Sequence, residues 1–279
     1  MAPTQGYSFQ KLYADVVADD GTVAVLYLTW ARFWRGWYGR ASVERYHPDG
    51  RLEQITLAGP AKPAIEDSLA IGAFHFDPPA GAVTLAFETE LGEWQPGGCP
   101  ARGLDWAVKR ARTRATLRLP DGVHSGDGYI DFVTMTETTK GMKLKTLQWG
   151  RAHLPGRTVI FEELTLTNGD LWRVGLDAAP DEPLVAMPAT IELDAAGRGS
   201  VRVGSTTLAV TPVRALHEGD ALDRRRIPGL LDRTVARILS GPVSQSRRLG
   251  RALAKRDGEV SARSEGFILY ERVTFGESR

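Results

Sequence analysis

Residues 11–18, KLYADVVA, and residues 22–30, TVAVLYLTW, flank Asp19-Asp20-Gly21. Asp-Gly tolerates the positive φ angles of a tight hairpin loop, so this stretch predicts two antiparallel strands joined by a short turn. The pattern recurs. Asp49-Gly50 separates ASVERY (41–46) from LEQITLA (52–58), and Asn168-Gly169 separates VIFEELTLT (159–167) from LWRVGL (171–176). Elsewhere apolar and polar residues alternate: Ala115, Leu117 and Leu119 on one side, Arg112, Arg114, Thr116 and Arg118 on the other. That is the signature of a sheet with one dry and one wet face. Similar runs lie near 82–90, 124–136, 143–151, 188–194, 199–213 and 266–274. Roughly a dozen strands over this length predict an all-β protein with two antiparallel barrel or sandwich units. Pro155-Gly156 interrupts a strand pattern, and the expected seam lies there, between an N-terminal domain 1–155 and a C-terminal domain 156–279.

One segment departs from the strand pattern. Ile227, Leu230, Leu231, Val235, Ile238 and Leu239 recur at three- and four-residue spacing until Gly241-Pro242, which predicts a short helix. Arg247–Arg256 is expected to continue as a second, basic helical piece, so that 224–256 forms an insertion before the last strand. This segment holds ten basic residues against Asp232, a net +9 in a chain whose total is +1. With no aromatic residue in it to stack a base, nucleic acid is not the expected partner. From Ile227 onward the net charge is still +6 beside an apolar stripe. Peripheral contact of 227–256 with anionic lipid is the expectation.

Composition narrows the class. The 279 residues are 42% hydrophobic and 25% charged, an ordinary globular balance. Cys99 is the single cysteine, so no disulfide forms within the chain and no multi-cysteine metal site is available. The opening Met1-Ala-Pro-Thr-Gln-Gly-Tyr7 lacks the basic and apolar regions of a secretory signal, and no run of 18 apolar residues occurs. A cytoplasmic setting is expected, with substrate collected at the inner face of the membrane.

Most enzyme signatures are missing. No phosphate-binding loop is present, and Gly126-Asp-Gly128 leads into a strand pattern rather than a helix. His47, His75, His124, His153 and His217 are scattered without a local pair, so no metal is expected. His124, Ser125 and Asp127 are nearly contiguous and read as a polar turn, because triad members converge from separate elements. What stands out is aromatic: Trp30, Trp34, Trp37 and Tyr38 crowd one strand end, and Trp106, Tyr129, Trp149 and Trp172 lie on or near other strands. Large aromatics fill barrel cores, and they also line cavities for apolar ligands and shield cations with their ring faces.

Gly126-Asp-Gly-Tyr129-Ile-Asp131-Phe132, followed by Leu147-Gln-Trp149-Gly-Arg151, resembles the Gly-x-Gly-Tyr-His-Asp-His segment and downstream tryptophan region of the carotenoid 1,2-hydratase (hydroxyneurosporene synthase) family. Tyr13-Ala-Asp15 with Asp19-Asp20-Gly21 is similar to that family's opening, and Gly266-Phe267-Ile-Leu-Tyr-Glu271 to its final strand. The resemblance implies two lipocalin-like β-units, a hydrophobic ligand between or inside them, and no cofactor. It extends to a wider group that includes Diels-Alderases. Ile130 and Phe132 stand where the family has two histidines, so histidine chemistry does not carry over.

The expected function is a cofactor-independent enzyme for an isoprenoid or polyene. Asp131, kept protonated by an apolar pocket, would protonate a carbon-carbon double bond, and Tyr129 would orient Asp131 or the water. Trp149, Trp37, Trp34, Trp106, Arg151 and Phe132 are the expected substrate-binding residues. A non-catalytic carrier of a hydrophobic molecule and a cyclase or pericyclase that shapes its substrate are the alternatives.

Overall fold

The computed structural model describes residues 7–33, 36–57, 73–76, 82–223, 233–234, 237, 240–258 and 264–276. These form sixteen strands in two compact units, one built mainly of residues up to Glu137 and the other of residues from Thr138 onward with Gly98–Arg102. The chain thus divides ahead of the expected seam. Pro155-Gly156 instead makes the turn between β9 (Leu144–Leu154) and β10 (Arg157–Leu166), inside the second unit. A Pro-Gly pair marks a tight turn as readily as a domain boundary, and here Gly156 takes φ 68°.

In the first unit the strands are β1 (Ser8–Ala18), β2 (Val23–Phe33), β3 (Gly36–Tyr46), β4 (Leu52–Leu57), β5 (Ala73–Phe76), β6 (Val83–Phe87), β7 (Leu104–Leu119) and β8 (Gly122–Met135). They form one eight-stranded sheet in the order β4-β3-β2-β1-β8-β7-β6-β5. The meander closes by pairing its first strand with its last, and β4 and β5 are left as edges of a half-barrel. The second unit repeats the scheme with β9, β10, β11 (Leu171–Ala178), β12 (Ala189–Leu193), β13 (Gly199–Val203), β14 (Thr206–Asp220), β15 (Val243–Arg256) and β16 (Ser264–Phe275). Its order is β11-β10-β9-β16-β15-β14-β13-β12. Backbone hydrogen bonds between Gly175 and Met187, at 2.9 and 2.8 Å, bring β11 toward the segment entering β12 and leave this barrel nearly closed.

The three Asx-Gly turns read from the sequence are all present, with Gly21, Gly50 and Gly169 at φ 84°, 88° and 93°. Each unit encloses its own apolar interior. Leu12, Leu26, Leu28, Val43, Leu85, Leu117 and Ile130 meet in the first; Val159, Phe161, Val201, Leu208, Ala252 and Ile268 meet in the second. Close approach is achieved with glycines. A Cβ at Gly126 would lie 2.0 Å from the Val17 carbonyl oxygen and 2.5 Å from Ala18 Cα, and backbone atoms cannot step aside. Gly126→Ala is therefore expected to cost at least about 1–3 kcal/mol in urea unfolding, the usual cost of overpacking. A variant as stable as its parent would show that β1 and β8 do not approach this closely.

One end of the first unit is tied by charge. Arg45, almost fully buried, hydrogen-bonds Asp121 through two nitrogens at 2.8 and 2.7 Å and also pairs with Glu53. The hydrogen bonds from Arg45 hold the Asp121 carboxyl below its ordinary range. Burial pushes Glu53 upward, but hydrogen bonds from Arg45 and His47 outweigh it and leave that carboxyl lowered too. Groups with depressed folded-state pKa values stabilise the fold above their unfolded values and lose that contribution as pH falls through the folded ones. Arg45→Gln is thus expected to move acid unfolding to higher pH, read by circular dichroism, and an unmoved midpoint would discount the clamp.

The expected helical insertion is met only in part. Of 224–242, residues 233–234, 237 and 240–242 are described, and Arg233, Thr234, Arg237 and Ser240 have helical backbone. Arg247–Arg256 is not a helix: it is β15, paired with β14 and β16 along its length. Its Arg, Leu, Ala and Lys residues favour helix, but small Gly250, Ala252 and Ala254 fit the barrel interior on alternate positions, and tertiary packing overrides propensity. Arg247 is buried and Arg248 pairs with Glu218, so this strand is not a freely presented basic face. Among the described residues no helix is long and apolar enough to cross a membrane.

Candidate functional site

The strands of each closing pair carry a run of residues buried on both faces. In β8, Ile130 belongs to the apolar interior and Phe132 packs against it, while Tyr129 and Asp131 point to the opposite face, 0% and 5% exposed. The two positions that differ from the resembled motif are thus part of the core, and the two that match it share the other face. Phe132 is accounted for by that packing.

The antiparallel register determines what surrounds Asp131. It lies opposite Tyr13 on β1, and Tyr129 lies opposite Asp15. Tyr-x-Asp occurs once on each strand, and the strands run in opposite directions, so each tyrosine faces the other strand's aspartate. One row across the sheet runs Val108, Asp131, Tyr13, Tyr27, Ser42; the next runs Tyr129, Asp15, Val25, Glu44. Tyr13 makes edge contacts with Tyr27 and Tyr129 at centroid distances of 5.6 and 6.2 Å. Lys11 lies 5.9 Å from the Tyr13 ring centre, and the Tyr46 hydroxyl donates to Glu44 at 2.7 Å. Opposite Val133 stands Trp106, so it shares the face with Asp131, and its indole packs edge-on against Trp94 at 5.6 Å.

The face therefore combines buried carboxyls with electron-rich rings. Such a surface can hold a proton donor beside an apolar substrate and shield positive charge that develops there. Asp15, Tyr13 and Tyr27 were not singled out as site residues from the sequence. The signal was present as two Tyr-x-Asp triplets, but only the register shows that they cross.

Trp149 and Arg151 lie on β9 in the second unit, 5% and 0% exposed. Trp149 sits between Glu162 on β10 and Glu271 on β16, and Arg151 between Ile160 and Leu269, all on the face away from the apolar interior. Glu271 accepts from Arg247 at 3.0 and 2.7 Å and from Gln245 at 2.7 Å. Trp149 is thus set among charged partners rather than in the barrel interior, where Phe161 and Tyr270 crowd over Gly150. Trp37 is described through its backbone in β3, and Trp34 lies outside the described residues. His124 pairs with Asp20 at 2.9 Å, and with Ser125 and Asp127 it lies in β8 rather than in the expected polar turn.

A small concavity opens in the second unit, lined by Gln148, Asp194, Ser246, Arg248, Tyr270 and Arg272 among others. It measures about 40 Å³, room for a few waters and not for a polyene. Among the described residues no group of three or more His, Cys, Asp or Glu is placed to hold a metal ion.

By sequence, no protein family profile and no curated protein matches the chain. By structure the result is different. CghA, also solved with Sch210972, superposes with a TM-score of 0.63 at 11% identity over 98% of this chain and 90% of its own. Kievitone hydratase from Nectria haematococca gives 0.57 at 10% identity with the same coverage. This is their fold. A Nitrosomonas europaea protein assigned as an AttH shares it at 0.54 and 12% identity, over 95% of this chain and 92% of its own. The likeness runs through both units of this chain, and the matched residues differ at nearly nine positions in ten.

Proposed function

We propose that the protein is a cofactor-independent enzyme acting on a hydrophobic isoprenoid or polyene by acid chemistry at a carbon-carbon double bond. The observation that carries this reading is Asp131, buried on a face shared with Tyr13, Tyr129 and Trp106. In its neutral form Asp131 donates a proton to one alkene carbon, and the adjacent carbon becomes cationic. Ring faces stabilise that cation until water adds. Tyr129 positions the acid or the water, and Trp106, on the same face of the first unit, contacts the substrate. The scaffold shared with a protein named as a hydratase is compatible with this chemistry.

A second reading follows from the same aromatic face. Tyr13, Tyr27 and Tyr129 could protect a cation from water long enough for an internal double bond to capture it, making the enzyme a cyclase.

Purified protein incubated with cell lipid extract in oxygen-18 water separates the readings. A retained component that gains one labelled water supports the hydratase. A retained component that is converted at unchanged mass supports the cyclase, and retention of unaltered material would leave a carrier.

A further inference from the structure

We infer that Asp15 is the second carboxylate of this site, the base that takes the proton of the attacking water; this rests on the acid role assigned to Asp131 above. Water addition needs both partners. Protonation by Asp131 forms a carbon-hydrogen bond, attack by water forms a carbon-oxygen bond, and the oxygen must then lose a proton to a base.

Asp15 is the carboxylate the register offers. It stands diagonally across the β1–β8 pair from Asp131, because Tyr13 opposes Asp131 and Asp15 opposes Tyr129. Diagonal neighbours on an antiparallel pair are separated by about 7–8 Å. In two-carboxylate hydrolysis, acid and base about 6.5–9.5 Å apart leave space for a water between them. Side chains carried on neighbours at that backbone separation can set their carboxyls far enough apart for a reacting carbon and a water to fit above the sheet. Asp15 is 0% exposed, so neither bulk solvent nor buffer substitutes for it. Other acids on the face fit less well. Asp127 has a side chain 38% exposed near Arg112, and Glu44 lies two strands beyond β1 and accepts the Tyr46 hydroxyl.

In the full step, the Asp131 proton goes to carbon, water oxygen bonds to the neighbouring carbon, and its proton goes to the Asp15 carboxylate. Transfer of one proton from Asp15 back to Asp131, its diagonal neighbour, through a water held between them as product leaves, restores the starting state. No oxidant or cofactor enters.

The test uses the full-length protein and cell lipid extract dispersed in deuterated water, with hydration and deuterium incorporation into recovered starting material both read by mass spectrometry. Asp15→Asn is expected to lower hydration by about 10²-fold or more, the range for loss of a general base. Deuterium incorporation should remain within about threefold of the parent, since Asp131 can still protonate carbon and take a proton back. Equal loss of both signals in a variant with the parent's melting temperature would make Asp15 a structural residue and overturn the assignment. Unchanged hydration would overturn it too. Should Asp15→Asn fail to fold, Asp15→Glu decides: hydration and exchange both kept within about tenfold of the parent support the base, and loss of both beyond that in a folded variant rejects it. If the parent protein neither hydrates nor deuterates any component of the extract, the acid role of Asp131 falls first and this one with it.

Discussion

Asp131→Asn is expected to lower turnover by about 10²–10⁴-fold, the usual contribution of a positioned general acid, with ligand retention and melting temperature close to those of the parent. The amide matches the carboxyl in shape and lacks the transferable proton. Because Asp131 is 5% exposed and opposes Tyr13 across the β1–β8 pair, the replacement leaves the packing of that face almost unchanged. Conversion of the component identified from lipid extract is the measurement, alongside a thermal melt. A folded variant with full activity removes Asp131 from the chemistry. A variant that unfolds, with activity lost only in proportion, makes it a structural carboxylate.

The largest expected stability effect lies in the second unit. The Arg247 side chain is 1% exposed and that of Glu271 10%, and their hydrogen bonds join β15 to β16. Arg247→Ala is expected to cost about 3–5 kcal/mol, because it leaves a buried carboxylate without its cation. Replacing both, as Arg247→Met with Glu271→Leu, should recover most of the loss, since apolar residues of similar volume often serve as well as a buried pair. Urea unfolding followed by tryptophan emission gives both values. A single-variant cost below about 1 kcal/mol would place the pair in the class of solvent-screened surface bridges.

What the sequence disclosed was local. Asp20-Gly21, Asp49-Gly50 and Asn168-Gly169 require backbone conformations that few residues accept, so those turns were legible from two letters each. The alternation through Ala115, Leu117 and Leu119 likewise reported a half-buried strand from its own pattern, and all three are buried. Two features misled. Pro155-Gly156 signalled a boundary and is a hairpin turn, and β15 has the composition of a helix because its inward positions are filled by small residues that suit both structures. The site itself was half legible. Tyr129 and Asp131 came from one contiguous motif, whereas Asp15 joins them on one face, and so enters the candidate site, only through a pairing between the first and last strands of the unit, which no local pattern encodes.

That closing pair also sets a schedule. Contacts between residues so distant in the chain are slow to form, because the intervening loop must lose its freedom before they contribute. While the polypeptide is being synthesised, Tyr13 and Asp15 emerge early, but the strand that completes their face arrives only after β7. A chain halted before β8 holds half of each crossed Tyr-Asp pair and lacks Asp131. On the proposed reading, activity would then appear during translation no earlier than the eighth strand, and its onset would time that strand's arrival.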